Sequence, residues 1–176
     1  MFATTPHASA QAEERVDDLI SAIDAAHARV ALAQRELFSL IADMDRCEAW
    51  RHAGARDLSH WLCMRYGISS WKAHRWIAAA HALEQLPRLA GALAGGDLGI
   101  DKVVELCRFA SPETEGHLIR WAKGVSCATV RRRADIAALT QRITDTLAEH
   151  IARAPEQWWG ASQQIWPDLA ARTSDR

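Results

Sequence analysis

Residues 57–81, DLSHWLCMRYGISSWKAHRWIAAAH, contain the turn that decides the fold. Asp57 has the side chain of a good helix N-cap, and Ser69 or Ser70 can begin a second helix in the same way. Gly67 lies between the two helices and can take the positive φ that ends the first one. The stretch therefore predicts two helices joined at Gly67, arranged as a helix-turn-helix.

Side-chain types on this corner fit that arrangement. The positions that a helix-turn-helix buries are Leu62, Tyr66, Ile68 and Trp76, and the small residues near the helix crossing are Cys63 and Ala73. The outward positions of the second helix, where a recognition helix meets DNA, are Ser69, Ser70, Trp71, Lys72, His74 and Arg75. The alternative is a purely structural corner, because helix pairs of this kind are common in α-helical proteins.

The 176 residues are 49% apolar, which is enough for the core of one domain with tails. A net charge of −1 excludes a wholly basic nucleic-acid binder and leaves local basic patches open. The four cysteines form no CxxC pair, so we expect reduced thiols and neither disulfides nor a zinc site. No signal peptide and no apolar run of membrane-spanning length is visible, which predicts a cytoplasmic protein.

A long helix is predicted from residue 12 to residue 47, which contain neither Gly nor Pro. Val16, Ile23, Val30, Leu37 and Met44 recur every seven residues and form one apolar stripe. The stripe can pack along its own domain, or residues 16–44 can pair with a second copy of the chain. Residues 12–48 carry nine acids against four arginines, so we do not expect this face to meet DNA.

The remaining chain also predicts helices, and we expect an all-α protein without strands. The predicted helices span residues 84–93, 98–110, 111–123 and 127–151. Gly124-Val125-Ser126 resembles the Gly67 corner and precedes a second basic cluster, Arg131, Arg132 and Arg133. We divide the chain into a disordered N-terminus (1–11), a helical domain (12–136) and a helical continuation with a Trp-rich tail (137–176).

Both corners lie in basic stretches. Residues 50–89 contain six Lys or Arg and two Asp or Glu, and Lys123 joins the three arginines after the second corner. These side chains are suited to binding phosphates of duplex DNA. Alternatively, they neutralise the acidic first helix within the same molecule.

The order of motifs resembles the bacterial domain of unknown function 222 over residues 15–136. The motifs are W-R-x-x-G-A-R-x-L-x-x-W-L at 50–62, G-I-S at 67–69 and L-x-x-L-P at 83–87. This domain usually precedes an HNH nuclease domain, so the resemblance implies an accessory or DNA-binding role. It supplies no catalytic residues, because in that family they lie in the HNH part, and no such part follows here.

The tail, residues 137–171, resembles instead the C-terminal end of lipid A and phosphatidylinositol mannoside acyltransferases, chiefly through PEQWW at 155–159 and WPD at 166–168. Two resemblances in one chain suggest a gene fusion, frameshift or remnant, with Trp158, Trp159, Ile165 and Trp166 left partly exposed. That family's catalytic motif is His-x4-Asp. His52 and Asp57 match its spacing without the surrounding acyltransferase core, and we interpret Asp57 as a helix cap.

Other candidate sites are weak. His60, Cys63 and His74 offer three metal ligands without a fourth. Trp61 and Trp76 fit core positions, whereas Trp71 fits an exposed one. We therefore predict a non-catalytic DNA-binding or accessory domain, with no catalytic residue, metal, cofactor or small-molecule ligand. The alternatives are a dimerisation or protein-interaction module, a non-functional fusion remnant and, remotely, an acyltransferase fragment.

Overall fold

The computed structural model describes residues 6–155 and 157, with the side chains of residues 13–155 and 157. The regular secondary structure of the described chain is all helical, with no strand, as predicted. Seven α-helices lie in it: α1 (Pro6–Arg46), α2 (Leu58–Tyr66), α3 (Ser70–Gln85), α4 (Pro87–Ala94), α5 (Ile100–Leu106), α6 (Glu115–Lys123) and α7 (Cys127–Arg153). A short 3₁₀ turn, Ala49–Ala53, links α1 to α2.

The corner between α2 and α3 forms as the sequence predicts. Asp57 Oδ1 accepts the backbone N–H of His60 at 2.7 Å, and Ser69 Oγ accepts that of Lys72 at 3.2 Å. Gly67 has φ 65° and ψ 20°, and its N–H closes α2 on the carbonyl of Cys63. Both helix ends are thus satisfied by local groups, which explains why this corner could be predicted from sequence.

Burial at the corner follows the prediction in part. Leu62 and Ala73 are fully buried, and Ile68, Trp61 and Trp76 are half-buried against the core. Tyr66 is 52% exposed, which corrects its predicted place in the core. It packs edge-on against Trp61 instead, with ring centroids 5.6 Å apart.

Helix α1 packs against α3 and α4 over a shorter part of its length than the seven-residue stripe predicts. The buried side chains are Ala31, Phe38, Ile41 and Ala42, and the half-buried Leu37 and Met44 pack beside them. Val16, Ile23 and Val30, from the same stripe, are more than 50% exposed. The self-packing alternative therefore holds only for the C-terminal part of α1.

The second corner repeats the serine cap of the first but not its glycine conformation. Ser126 Oγ accepts the N–H of Thr129 at 3.2 Å, whereas Gly124 has φ −91°, which any residue can adopt. Helix α6 begins at Glu115 rather than at Ser111, because the intervening residues form a turn held by Ser111 and Thr114. Helix α5 is also shorter than the predicted 98–110.

Helix α4 begins without a cap of its own, since Leu86 precedes Pro87 at its first position. The buried carboxylate of Glu115 supplies the cap from α6. It accepts the N–H of Leu89 at 3.0 Å and places negative charge at the positive end of the α4 dipole. At the opposite end of α6, Lys102 Nζ of α5 donates a hydrogen bond to the carbonyl of Ala122, at 2.9 Å.

The chain divides into two compact units, residues 1–134 and 135–176. The first contains α1–α6 and the start of α7. The described part of the second is the rest of α7, whose Ile136, Leu139, Ile143, Leu147 and Ile151 are all exposed. Of the predicted disordered N-terminus (1–11), residues 1–5 lie outside the described residues, and residues 6–11 belong to helix α1. The predicted exposure of Trp158, Trp159, Ile165 and Trp166 also lies outside the described residues. None of the described helices has the length and apolar character needed to span a bilayer.

Candidate functional site

Glu105 is the buried centre of the basic region. Its side chain is 3% exposed and lies within an apolar run of α5, between Val104 and Leu106. Three guanidinium groups reach it from three parts of the chain. Arg75 Nη2 is 2.6 Å from Oε2, Arg108 Nη1 is 2.9 Å from Oε2, and Arg131 Nε is 3.0 Å from Oε1. The second helices of both corners, α3 and α7, are therefore tied to the same carboxylate.

The charge state of Glu105 follows from two opposing effects. Burial acts to raise its pKa, because an ionised carboxylate loses hydration. The hydrogen bonds from Arg108 and Arg131, together with Arg75, outweigh burial and lower the pKa below its ordinary value. Glu105 is thus ionised at neutral pH, and in turn it raises the pKa of Arg131.

Arg75 is held between Glu105 and Trp71. Its side chain is only 17% exposed, and its buried Nη2 lies 2.6 Å from Glu105 Oε2, as an ion pair without ideal hydrogen-bonding geometry. The guanidinium carbon lies 4.9 Å from the ring centroid of Trp71, which is itself 63% exposed. Arg75 therefore stacks on an exposed indole while its charge is paired with Glu105.

His74 and Ser70 take part in the local structure of the corner. His74 Nδ1 donates to the carbonyl of Ser70 at 2.7 Å, and Ser59 Oγ lies 3.1 Å from the same nitrogen. Because the carbonyl can only accept, Nδ1 carries the proton, and in the neutral ring the other nitrogen is an acceptor. Ser70 and His74 remain exposed and border the site.

The predicted contact residues of α7 have three different surroundings. Arg131 pairs with Glu105, whereas Arg132 is exposed. Arg133 lies over the ring of Trp121, 4.6 Å from its centroid, so its guanidinium packs on the domain's own aromatic surface. On α3, Lys72 Nζ similarly lies 4.9 Å from the ring centroid of Trp76.

Two adjacent cavities meet at Arg75. The first, about 230 Å³, is mostly apolar and lies between α3 and α5, with Trp71, Ala78, Val104 and Cys107 in its walls. The second, about 180 Å³, is about equally polar and apolar and is lined by side chains that include Lys72, Trp76, Asp101, Glu105 and Arg131. Trp71, Arg75 and Val104 line both. Trp71, Lys72, Arg75 and Arg131 are thus brought together, while Arg132 and Arg133 line neither cavity.

Arg75 and Arg131 pair with Glu105 and not with the acidic first helix, so the alternative of neutralisation by that helix does not describe these two residues. Arg51, in the same basic stretch, does pair with Glu48, one of the acids counted with that helix, at 2.8 Å. Helix α1 also pairs Arg46 with Asp43 and Glu84, and Asp45 with His81. Glu105 is the acid that sequence analysis missed. A single glutamate inside the run Val103-Val104-Glu105-Leu106 was the available sign, because buried acids need a partner.

The other candidate constellations have structural roles. His60 Nδ1 accepts the backbone N–H of Arg56 at 3.3 Å, and no group of three or more His, Cys, Asp or Glu in the described part of the chain could hold a metal ion. Asp57, matched earlier with His52, caps α2.

The model of one protein family matches residues 17–175, and its description is "Domain of unknown function (DUF222)". The match extends beyond residue 136, the end of the resemblance by order of motifs. It includes the tail that resembles acyltransferases. No curated protein and no solved structure matches the chain.

Proposed function

The chain belongs to the DUF222 family, and from this premise we propose that it is a non-catalytic DNA-binding accessory domain. The observation that carries the proposal is the convergence of both corners on one basic site. Lys72 and Arg75 of α3 and Arg131 of α7 line a single cavity, beside the exposed Trp71. This combination of cations and an exposed aromatic ring suits phosphate and base contacts.

The contact residues have two different roles in this proposal. Lys72 and Arg132 are exposed and bind phosphates, with Ser70, His74 and Arg133 at the edge of the contact. Arg75 and Arg131 are held by Glu105 and so present their remaining N–H groups in fixed positions. The acidic helix α1 is kept away from the DNA by like charge. The protein acts in the cytoplasm.

The test removes exposed charge without disturbing Glu105. In the double variant Lys72→Ala with Arg132→Ala, we expect weaker binding to a labelled duplex, measured by fluorescence anisotropy between low and moderate salt. The slope of log affinity against log salt should decrease by about 2, since each lost phosphate contact removes about one unit.

The matched control, Arg15→Ala with Arg29→Ala, removes the same charge from exposed positions of α1 and should leave the slope unchanged. The proposal is wrong if the unaltered protein fails to bind duplex DNA at low salt. It is also wrong if the Lys72 and Arg132 variant keeps the original slope. Arg75 is not used here, because its loss would also break the pair with Glu105.

A second candidate function is self-association through α1. Val16, Leu19, Ile20, Ile23 and Val30 are each more than 50% exposed and follow the 3–4 residue spacing of a coiled-coil seam. A second copy of the same stripe has the matching period, so the proposed partner is another molecule of this chain. Contiguous exposed apolar surface of this kind is uncommon on a monomer.

We expect light scattering to give a mass that rises with concentration toward twice that of the monomer. Ile23→Glu should keep the protein monomeric, because it places a charge in the seam. Leu32→Glu is the matched control, since Leu32 is 60% exposed but lies on the opposite side of α1. A constant monomer mass for the unaltered protein would rule out this dimer.

A further inference from the structure

The two cavities that meet at Arg75 have complementary chemistry. The first is lined mainly by apolar side chains, such as those of Ala78, Ala79 and Val104. The second is lined by the cationic residues Lys72 and Arg131. Arg75 and Trp71 form part of both walls, so a ligand with one flat apolar end and one anionic end can occupy both cavities at once.

The anionic end is indicated by the charge of the walls. Together the cavities are lined by Lys72 and three arginines, against the carboxylates of Glu105 and Asp101. The three arginines share the single carboxylate of Glu105, so the cations of the walls outnumber the acids. A bound anion can accept charge-assisted hydrogen bonds from these cations.

The apolar cavity indicates that the other end of the ligand is a flat apolar group, such as a base. Its entrance carries the exposed indole of Trp71, on which a base can stack. Cys107 keeps the wall uncharged, because burial raises the pKa of its thiol to about 12. His74 and Arg108 also line this wall, so polar side chains lie at the edge of the cavity.

From this juxtaposition we propose that the site binds one unstacked nucleotide of single-stranded or locally opened DNA. Its base enters the apolar cavity beside Trp71, and its phosphate lies in the basic cavity between Lys72 and Arg131. The inference rests on the proposed DNA binding and specifies the form of DNA that the site prefers. A closed duplex cannot fill the first cavity, because its bases are stacked and paired.

The test compares three probes bound to the full chain: a labelled 12-nucleotide DNA single strand, the matching duplex, and that duplex with an unpaired bulge. We expect the single strand and the bulged duplex to bind at least about tenfold more tightly than the closed duplex, which is within the range of one base–aromatic stack. Ala78→Phe fills the apolar cavity and should remove this preference.

Ala138→Phe, an equal change at an exposed position of α7, is the matched control and should keep the preference. Trp71→Ala provides a second variant that leaves the core intact, and it should also abolish the preference. Equal affinity for all three probes would overturn this inference and leave duplex binding standing. A preference that survives both Ala78→Phe and Trp71→Ala would overturn it as well, as would tighter binding to RNA of the same sequence. Failure to bind any probe would overturn the proposed function together with this inference.

Discussion

Replacing Glu105 with alanine should lower the free energy of unfolding by about 3 kcal/mol or more, because it leaves partly buried charges without their partner. Arg75 and Arg108 are the important partners, with side chains only 17% and 28% exposed. Arg131 is 56% exposed and contributes less, since water can replace its partner. Urea denaturation followed by circular dichroism measures the loss.

Two further variants separate the charge effect from general damage. Glu36→Ala removes an exposed acid from α1 and should change stability by less than about 0.5 kcal/mol. Arg75→Met combined with Glu105→Ala should cost less than the sum of the two single changes, because the second change removes a charge that the first left unpaired. Strict additivity of the two would contradict the assigned pair.

The same carboxylate makes stability depend on pH. Its pKa is lower in the folded protein than its ordinary value of 4.5, because of the arginines. Its contribution is therefore fully present above the ordinary value and is lost as the pH falls through the folded pKa. The Glu105→Gln variant should show a shallower loss of stability over this acidic range than the unaltered protein.

The Gly67 corner was predictable because its determinants are local. Asp57, Gly67 and Ser69 each satisfy a helix end within four residues along the chain. The buried face of α1 was not predictable from sequence, because apolar residues lie on more than one side of this helix. Phe38 and Ile41 are buried by packing against distant helices, whereas Val16 and Ile23 are more than 50% exposed within the part of the chain that the structure describes.

The sequence predicted the cations of the candidate site but not the acid that binds them. The basic residues of both corners are visible in the sequence, but the acid that gathers them is 30 residues from Arg75 and 26 from Arg131. Sequence spacing cannot pair groups so far apart. It also cannot show that Arg75 is largely buried whereas Lys72 is exposed, since both occupy the first turns of the same helix.

Phe38→Ala should destabilise the protein by about 3–5 kcal/mol, the usual cost of removing a fully buried aromatic side chain. Phe38 lies on α1 and packs edge-on against Trp76 of α3, with ring centroids 5.8 Å apart. Leu40→Ala is the control on the same helix, because Leu40 is 57% exposed and its loss should cost less than about 0.5 kcal/mol. Denaturation of both variants in urea gives the comparison.

The same substitution should also affect the proposed contact surface, because Trp76 forms a wall of the basic cavity and lies beneath Lys72. Without Phe38 the indole can shift toward α1, so the near-ultraviolet circular dichroism of the folded variant should change. DNA affinity should then fall even where the variant is fully folded. Unchanged affinity and an unchanged spectrum would show that α1 does not position this surface, and that the acidic helix and the basic face are independent parts of the domain.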